Sequence, residues 1–319
     1  MAESKILHGL NAQQREAVTA GEGPVLVLAG PGSGKTRVLT HRIAYLVEEM
    51  DVYAWHIMAV TFTNKAAREM ESRVVALLEG SNKLDGLSIG TFHAICARIL
   101  RREADYTPFS RDYVIFDTAD QLAVAKQAVN ELNLDEKKYN PRTMLSLISD
   151  AKNELIGPEE YPAQDYRGEV VRRVYTRYDA LLRANNARDF DDLLTHTVEL
   201  FRQNPDVLAR YQRRYQHILV DEFQDTNMAQ YALVKLLAGE RRNLFAVGDP
   251  DQSIYAFRGA DYRNVQRFRE DYPETRVILL EQNYRSHQAI LDAATGVIDR
   301  NPGRVKKALF SERKDGPLL

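Results

Sequence analysis

Cysteine is nearly missing from this sequence: Cys96 is the only one in 319 residues, which excludes an intrachain disulfide and any metal site built from cysteines. The seven histidines show no metal-ligand spacing either. No apolar run approaches the roughly 20 residues that cross a bilayer. The opening Met1-Ala2-Glu3-Ser4-Lys5 lacks the apolar core of a signal peptide, so a soluble protein of the cell interior is expected. Repeats, low-complexity tracts and disordered linkers are absent. So is an excess of one charge: 43 Lys and Arg against 45 Asp and Glu leave −2, which argues against a basic surface spread over the whole molecule. Arginines do gather locally, at Arg98, Arg101 and Arg102, at Arg172, Arg173, Arg177, Arg183 and Arg188, and at Arg210, Arg213 and Arg214. Such groups are more often solvated helix faces than binding sites, and charge alone does not name the partner.

What is present begins with phosphate chemistry. The apolar run Val25-Leu26-Val27-Leu28 leads into Ala29-Gly30-Pro31-Gly32-Ser33-Gly34-Lys35-Thr36, a strand followed by Gly-x-x-x-x-Gly-Lys-Thr. Gly30, Gly32 and Gly34 carry no Cβ, so the backbone can curl and aim successive N–H groups into one concavity. A helix starting near Lys35 adds its positive end to the same place. Lys35 is expected on the β/γ-phosphates and the Thr36 hydroxyl on Mg²⁺. The chain is therefore expected to bind a nucleoside triphosphate.

The length allows about two domains. Short Leu-rich or β-branched runs at Val25–Leu28, Ile57–Phe62, Leu87–Gly90, His217–Val220, Leu244–Val247 and Arg276–Leu280 read as strands buried on both faces. With helical patterns between them they predict a parallel α/β sheet. Between about Phe92 and Gln216 the strand signal nearly vanishes. Apolar residues there recur at helical spacing, as in Leu122, Val124, Ala125, Ala128, Val129 and Leu132, with breaks at Asn140-Pro141, Gly157-Pro158 and Tyr161-Pro162. This predicts a mainly helical domain inserted into one α/β core.

A second motif supplies carboxylates. Ile218-Leu219-Val220-Asp221-Glu222 reads as a buried strand ending in two acids. In a parallel sheet all strand ends of one kind share an edge, so Asp221 can hold Mg²⁺ near the Gly-rich loop while Glu222 polarises an attacking water. The alternative for acids at a strand end is helix capping. From Lys35 to Asp221 the chain is several times longer than the roughly 30 residues of a strand-helix-strand unit, which again points to an insertion. Hydrolysis of the triphosphate ranks above mere binding.

At this point the chain resembles the UvrD/Rep/PcrA family of superfamily 1A DNA helicases, in motif order and over nearly its whole length. Leu10-Asn11-Ala12-Gln13-Gln14 resembles the family's Q motif. Ala59-Val60-Thr61-Phe62-Thr63-Asn64-Lys65-Ala66-Ala67 resembles motif Ia, and Gly90-Thr91-Phe92-His93 motif Ib. Asp221-Glu222-Phe223-Gln224-Asp225 matches Asp-Glu-x-Gln-Asp. Gly248-Asp249-Pro250-Asp251-Gln252-Ser253-Ile254-Tyr255-Ala256-Phe257-Arg258-Gly259-Ala260 resembles motif III, and Leu280-Glu281-Gln282-Asn283-Tyr284-Arg285-Ser286 motif IV.

The resemblance implies roles. Gln14 recognises adenine and Tyr284 stacks on it, with Gly30, Gly32, Ser33, Gly34, Lys35, Thr36 and the adjoining Arg37 around the phosphates. Gln252 senses the γ-phosphate and Arg285 reaches it as an arginine finger, the kind of charge that phosphoryl transfer requires. Phe62, Thr63, Asn64 and His93 line a single-strand track, where an aromatic ring at a strand end can stack on a base and polar groups can reach phosphates. Tyr255 and Phe257 are its stacking residues, with Phe257 where many relatives carry Trp, and Arg258 links site and DNA. Ala151-Lys152-Asn153-Glu154-Leu155 and Asp189-Phe190-Asp191-Asp192-Leu193 resemble stretches of the family's helical domain 1B. Read by themselves they are a solvated turn and an acid-rich helix start, and for Asp189–Asp192, which would repel a phosphate backbone, a structural role is expected.

The implied architecture is a RecA-like P-loop sheet flanked by helices: 1–110 as the first part of domain 1A, 111–192 as inserted domain 1B, 193–278 as the rest of 1A and 279–319 as the start of domain 2A. The family's motifs V and VI and its 2B insertion find no match, so a longer gene product is expected, and this stretch alone should bind nucleotide weakly and unwind little. The implied activity is 3′–5′ translocation along single-stranded DNA driven by ATP and Mg²⁺, with single strands and single/double-strand junctions as partners and repair or replication proteins beside them. A monomer without membrane contact, in a bacterial-type cytoplasm at the nucleoid, completes the picture. Two other readings stay open: a P-loop ATPase acting on something other than nucleic acid, and the helicase subunit of a helicase-nuclease.

Overall fold

Apolar runs capped by turn residues become strands here because both faces of each run can be covered. The computed structural model describes residues 4–79, 83–254, 259–261, 263–301 and 304–313. Helix α1 (Ala12–Val18) starts with a capping box, in which the Asn11 side chain accepts from the Gln14 N–H and the Gln14 side chain from the Asn11 N–H. The chain continues through β1 (Val25–Ala29), α2 (Lys35–Glu48), β2 (Ile57–Thr61), α3 (Asn64–Leu77), β3 (Ser88–Thr91) and α4 (Phe92–Arg102). Next come β4 (Val114–Ile115), α5 (Thr118–Glu131), α6 (Pro141–Asn153), α7 (Tyr166–Ala184), β5 (Ala187–Arg188), α8 (Phe190–Gln203) and α9 (Pro205–Arg214). The last part holds β6 (His217–Val220), α10 (Met228–Ala238), β7 (Leu244–Gly248), α11 (Asn264–Asp271), β8 (Arg276–Leu280), β9 (Gln282–Asn283), α12 (Gln288–Ile298) and β10 (Phe310–Ser311).

The chain divides into two compact units, one of Met1–Thr91, Ala209–Thr226 and Leu237–Leu319, the other of Phe92–Leu208 and Asn227–Leu236. In the first, six strands form one sheet in the order β3-β2-β6-β7-β1-β8, every neighbouring pair parallel. This is the α/β parallel sheet expected from the six apolar runs. Burial on both faces holds for β1, β2, β6 and β7, whose residues are all buried. The edge strands depart from it: β3 alternates between buried and half-buried, and β8 opens with exposed Arg276 and Val277. An edge strand has a neighbour on one side only, so its flank faces water. On one face of the sheet, Val25, Val27 and Ala29 pack with Ala17 and Val18 of α1 and Val38, Leu39 and Ile43 of α2. Each large apolar side chain buried there contributes about 1.5–3 kcal/mol.

The second unit is helical, with a two-residue parallel pairing of β4 and β5 as its only ladder among the described residues. Its core is the set of inward faces of α5, α6 and α7, with Val124, Ala128, Met144, Ile148, Val174 and Tyr178 among its members. Asp117 caps α5 by accepting from the Ala119 and Asp120 N–H groups, and Asp189 caps α8 by accepting from the Asp192 N–H. The stretch Ala151–Leu155 is not the solvated turn its polarity suggests. Lys152 ends α6 at 2% exposure and donates to Asp189 Oδ2 and Asp192 Oδ1, both at 2.6 Å. Burial by itself would lower its pKa, but the two carboxylates outweigh that and hold it well above the ordinary lysine range. Tyr178 adds a hydroxyl bond to Asp189 at 3.0 Å. Asp189 and Asp192 thus have a structural role.

Candidate nucleotide site

Because all six strands are parallel, their carboxyl ends share one edge, and the segments following them are brought together there. The loop after β1 curls as the glycines allow. Gly32 and Gly34 have φ of +66° and +91°, and Gly34 caps α2, whose first residue is Lys35. A Cβ on Gly32 would lie 2.7 Å from Arg285 Cβ and 2.9 Å from Asn283 Nδ2, and one on Gly34 would lie 2.8 Å from Gln14 Nε2. Neighbouring segments therefore close on the loop where only glycine leaves room. Ser33 is buried, its hydroxyl donating to the Gly30 carbonyl at 2.7 Å. Thr36 is half-buried on the first turn of α2, and Arg37 is exposed beside Gly9.

Strand β6 ends at Val220, so Asp221 and Glu222 emerge two strands away from β1, with β7 between. That is about 10 Å at the usual strand spacing, and long side chains bridge it. Lys35 Nζ donates to Glu222 Oε2 at 2.6 Å. Glu222 has φ 47° and ψ 47°, a left-handed conformation that costs a non-glycine residue about 1 kcal/mol or more and turns its side chain toward the loop. Asp221, at 6% exposure, accepts from the Glu222 N–H at 3.0 Å. Burial, with the Glu222 charge adding to it, pushes the Asp221 carboxyl up to about 7. Asp225 rises to about 6 for the same two reasons.

Gln224 joins this pair to the segment after β7. Its Nε2 donates to Glu222 Oε2 at 3.0 Å, and its Oε1 accepts from the Asp249 N–H at 2.9 Å. Gly248 has to be glycine for that contact, since a Cβ would come within 2.6 Å of Gln224 Oε1. Gln252 Nε2 donates to Asp249 Oδ2 at 2.5 Å. From the other side, Asn283 donates to the Pro31 carbonyl and accepts from the Arg285 and Ser286 N–H groups at 2.8 and 2.7 Å. The Tyr284 N–H donates to the Gly32 carbonyl at 2.9 Å. Gln14, almost fully buried, donates through Nε2 to the Ser33 carbonyl at 2.9 Å. The Tyr284 hydroxyl accepts from Asn11 Nδ2 at 2.8 Å and donates to Gln282 Oε1 at 2.9 Å. Sequence reasoning assigned no role to Asn283, Gln224 or Asp249. All three lie inside the quoted motifs, but only folding shows what their side chains bridge.

The residues expected to meet a strand fall in both units. Phe62 is half-buried at the end of β2, Thr63 caps α3 by accepting from the Ala66 N–H at 3.1 Å, and Asn64 is exposed. His93, in the helical unit, sits edge-on to Phe190 with centroids 5.9 Å apart, and burial lowers its pKa. Tyr255, Phe257 and Arg258 lie outside the described residues. In the second arginine cluster, Arg172 pairs with Glu169, Arg177 with Glu131 and Arg183 with Asp179, while Arg188 is buried against Phe109. Arg172, Arg177 and Arg183 are thus paired on their helix faces.

The donor set fits a divalent ion. A hydroxyl and a buried carboxyl offer hard oxygens, and the Asp221 carboxyl stays raised by burial and Glu222 despite the opposing Lys35 charge, so a further cation would suit it. Among the described residues no group of three or more His, Cys, Asp or Glu forms a metal site. An ion held by Thr36 and Asp221 would complete its shell with water and phosphate oxygens.

A Gly-rich loop between a central parallel strand and a helix, with Lys35 meeting a carboxylate from a second strand end, defines a P-loop nucleotide-binding protein of the RecA-like α/β class. Residues 10–273 match the family described as the UvrD/REP helicase N-terminal domain, and the chain belongs to that family. It is similar to proteins named ATP-dependent DNA helicase PcrA. One from Bacillus subtilis is 53% identical over 315 residues, covering 98% of this chain and 42% of that relative. One from Leuconostoc citreum is 49% identical over 321 residues, covering 100% and 43%, and one from Staphylococcus aureus is 50% identical over 316 residues, covering 98% and 43%. The chain thus spans less than half the length of these curated relatives. No helix among the described residues is long and apolar enough to cross a membrane.

Proposed function

We propose that this chain is the nucleotide-hydrolysing part of an ATP-dependent 3′–5′ DNA helicase that moves along single-stranded DNA and opens duplexes in repair or replication. The observation that carries the reading is the contact of Lys35 with Glu222 across the sheet edge at 2.6 Å, joined to the helicase family match. Glu222 occupies the place of Lys35's anionic partner. An arriving triphosphate takes over the Lys35 ammonium and leaves the Glu222 carboxylate to accept a proton from water. Thr36 and Asp221 would hold Mg²⁺, which would supply positive charge beside the phosphates. Gln14 and Tyr284 take the nucleotide's base, Arg37 stands with the phosphate loop, and Gln252 and Arg285 take the γ-phosphate. Phe62, Thr63, Asn64, His93, Tyr255, Phe257 and Arg258 contact the strand. In domain terms we assign 1–110 and 193–278 to domain 1A, 111–192 to 1B and 279–319 to the start of 2A, in a monomer working at the nucleoid.

The test is ATP hydrolysis by the full-length protein with and without single-stranded DNA, beside Lys35→Ala. Strong stimulation by DNA, lost at least a hundredfold in the variant, is expected from removal of the phosphate-binding ammonium. Turnover indifferent to DNA would remove the helicase reading.

A further inference from the structure

The hydrogen-bonded line that starts at Lys35 does not end at Gln252. Asp249 is fully buried, at 0% exposure, and a carboxylate so placed is costly unless a cation and donors compensate it. Its donors are Gln252 Nε2 on Oδ2 and the Asp251 N–H on Oδ1 at 3.2 Å. Its cation comes from far along the sequence: the Lys307 ammonium, itself 1% exposed, pairs with Oδ1. Lys307 also reaches Asp251 Oδ2 at 3.0 Å, and Arg304 Nε meets that same oxygen at 3.0 Å. Two cations from the segment after α12 therefore grip the two aspartates that flank Pro250.

We propose that Lys307 is a positioning residue for ATP hydrolysis, acting through Asp249 on Gln252 and, by way of Gln224, on Glu222. The proposal rests on the helicase reading above. Held by Lys307 at Oδ1, Asp249 keeps Oδ2 toward Gln252 and fixes that carboxamide with its Nε2 turned inward. That leaves Gln252 Oε1 free of Asp249 and in one orientation. Without Lys307 the buried Asp249 side chain loses the contact that fixes Oδ1, and its orientation is no longer set. Oδ2 is then no longer held in place for the Gln252 amide, so Gln252 loses its anchor. The peptide at Gly248-Asp249, which donates to Gln224 Oε1, loses its constraint as well. Gln224 is the residue that shares Glu222 Oε2 with Lys35, so the loosened end communicates with the hydrolytic carboxylate. A group that only orients others should affect the chemical step and leave nucleotide affinity alone.

The experiment compares the full-length protein with Lys307→Met, Lys307→Arg, Gln252→Ala and the Lys307→Met/Gln252→Ala double variant, reading kcat and KM for ATP with saturating single-stranded DNA. Lys307→Met should lower kcat about tenfold, with KM within about twofold, as expected when an interaction made mainly in the transition state is lost. Lys307→Arg should recover most of the rate. The double variant should lose less rate than the product of the two single losses, because both changes remove the same Gln252 orienting contact. A Lys307→Met enzyme with wild-type kcat, or losses that multiply in the double variant, would overturn the proposal. If Lys307→Met does not fold, Lys307→Gln carries the same comparison. A wild type without DNA-stimulated turnover would sink the helicase reading itself, whereas an active wild type with an unimpaired Lys307 variant overturns only this inference.

Discussion

Lys35, Asp221 and the loop glycines are legible in the sequence because their chemistry is local: a few adjacent positions, each chosen for a conformational or electrostatic reason. Gly32 shows the limit of that legibility. Its positive φ follows from the loop, but its tightness comes from Asn283 and Arg285, which arrive from a distant part of the chain. Gly32→Ala should therefore combine strain from the left-handed backbone with a clash against Arg285 Cβ. A loss of about 1–3 kcal/mol in stability is expected, together with weaker MgATP binding. Urea unfolding and titration with a fluorescent ATP analogue check it, and wild-type values in both would show that the loop opens easily. Asn283 and Lys307 could not have been found the same way. Each is an ordinary polar residue whose partners, Pro31 and Asp249, are remote in sequence.

At the scale of elements, the six apolar runs gave strands at or within one residue of their expected ends, four of them because a strand buried on both faces has to be mostly apolar. The helical stretch was legible as helical but not in its interior. Lys152 read as solvated and is in fact the counter-ion that lets α6 meet the start of α8. Lys152→Ala would leave Asp189 and Asp192 facing each other without a cation, a loss of about 3–5 kcal/mol. Lys152→Met with both aspartates changed to Asn should recover most of it, because neutral groups of similar size carry no such penalty. Thermal melts by circular dichroism decide the matter; a single variant that melts like wild type would mean that water replaces the ammonium. The signal missing from the sequence is partnership: a lysine looks the same whether its carboxylates are in the solvent or 2.6 Å away.

For the molecule as a whole, groups of opposite sense set the dependence of stability on pH. Asp221, raised to about 7 by burial and Glu222, keeps its proton in the folded state to a higher pH than in the unfolded chain. Its contribution is harmless below about pH 4, grows more unfavourable as pH rises, and is fully unfavourable above about pH 7. Asp191, also raised to about 7 by burial first and the Asp189 charge second, has the same sign. His217 opposes them: burial, then the Arg42 charge, lowers it to about 4. The stability it contributes is therefore present above about pH 6.5 and is lost as pH falls toward 4. In metal- and nucleotide-free protein, Asp221→Asn should be more stable than wild type at pH 8, by an amount on the order of 4 kcal/mol at most, and no more stable at pH 4. Urea midpoints at the two pH values test this, and an equal gain at both would rule out ionisation as the cause. Such a gain marks a group kept for chemistry at a cost in stability. The sequence by itself determined the parallel sheet, the phosphate loop and the acids at a strand end, because apolar continuity, absent Cβ atoms and residue charge act over a few neighbouring positions. Only the tertiary structure decided that β6 and β7 lie between β2 and β1. It alone decided that Glu222 reaches Lys35 and that Lys307 neutralises Asp249, because strand order and the pairing of buried charges depend on which distant segments come to share one edge.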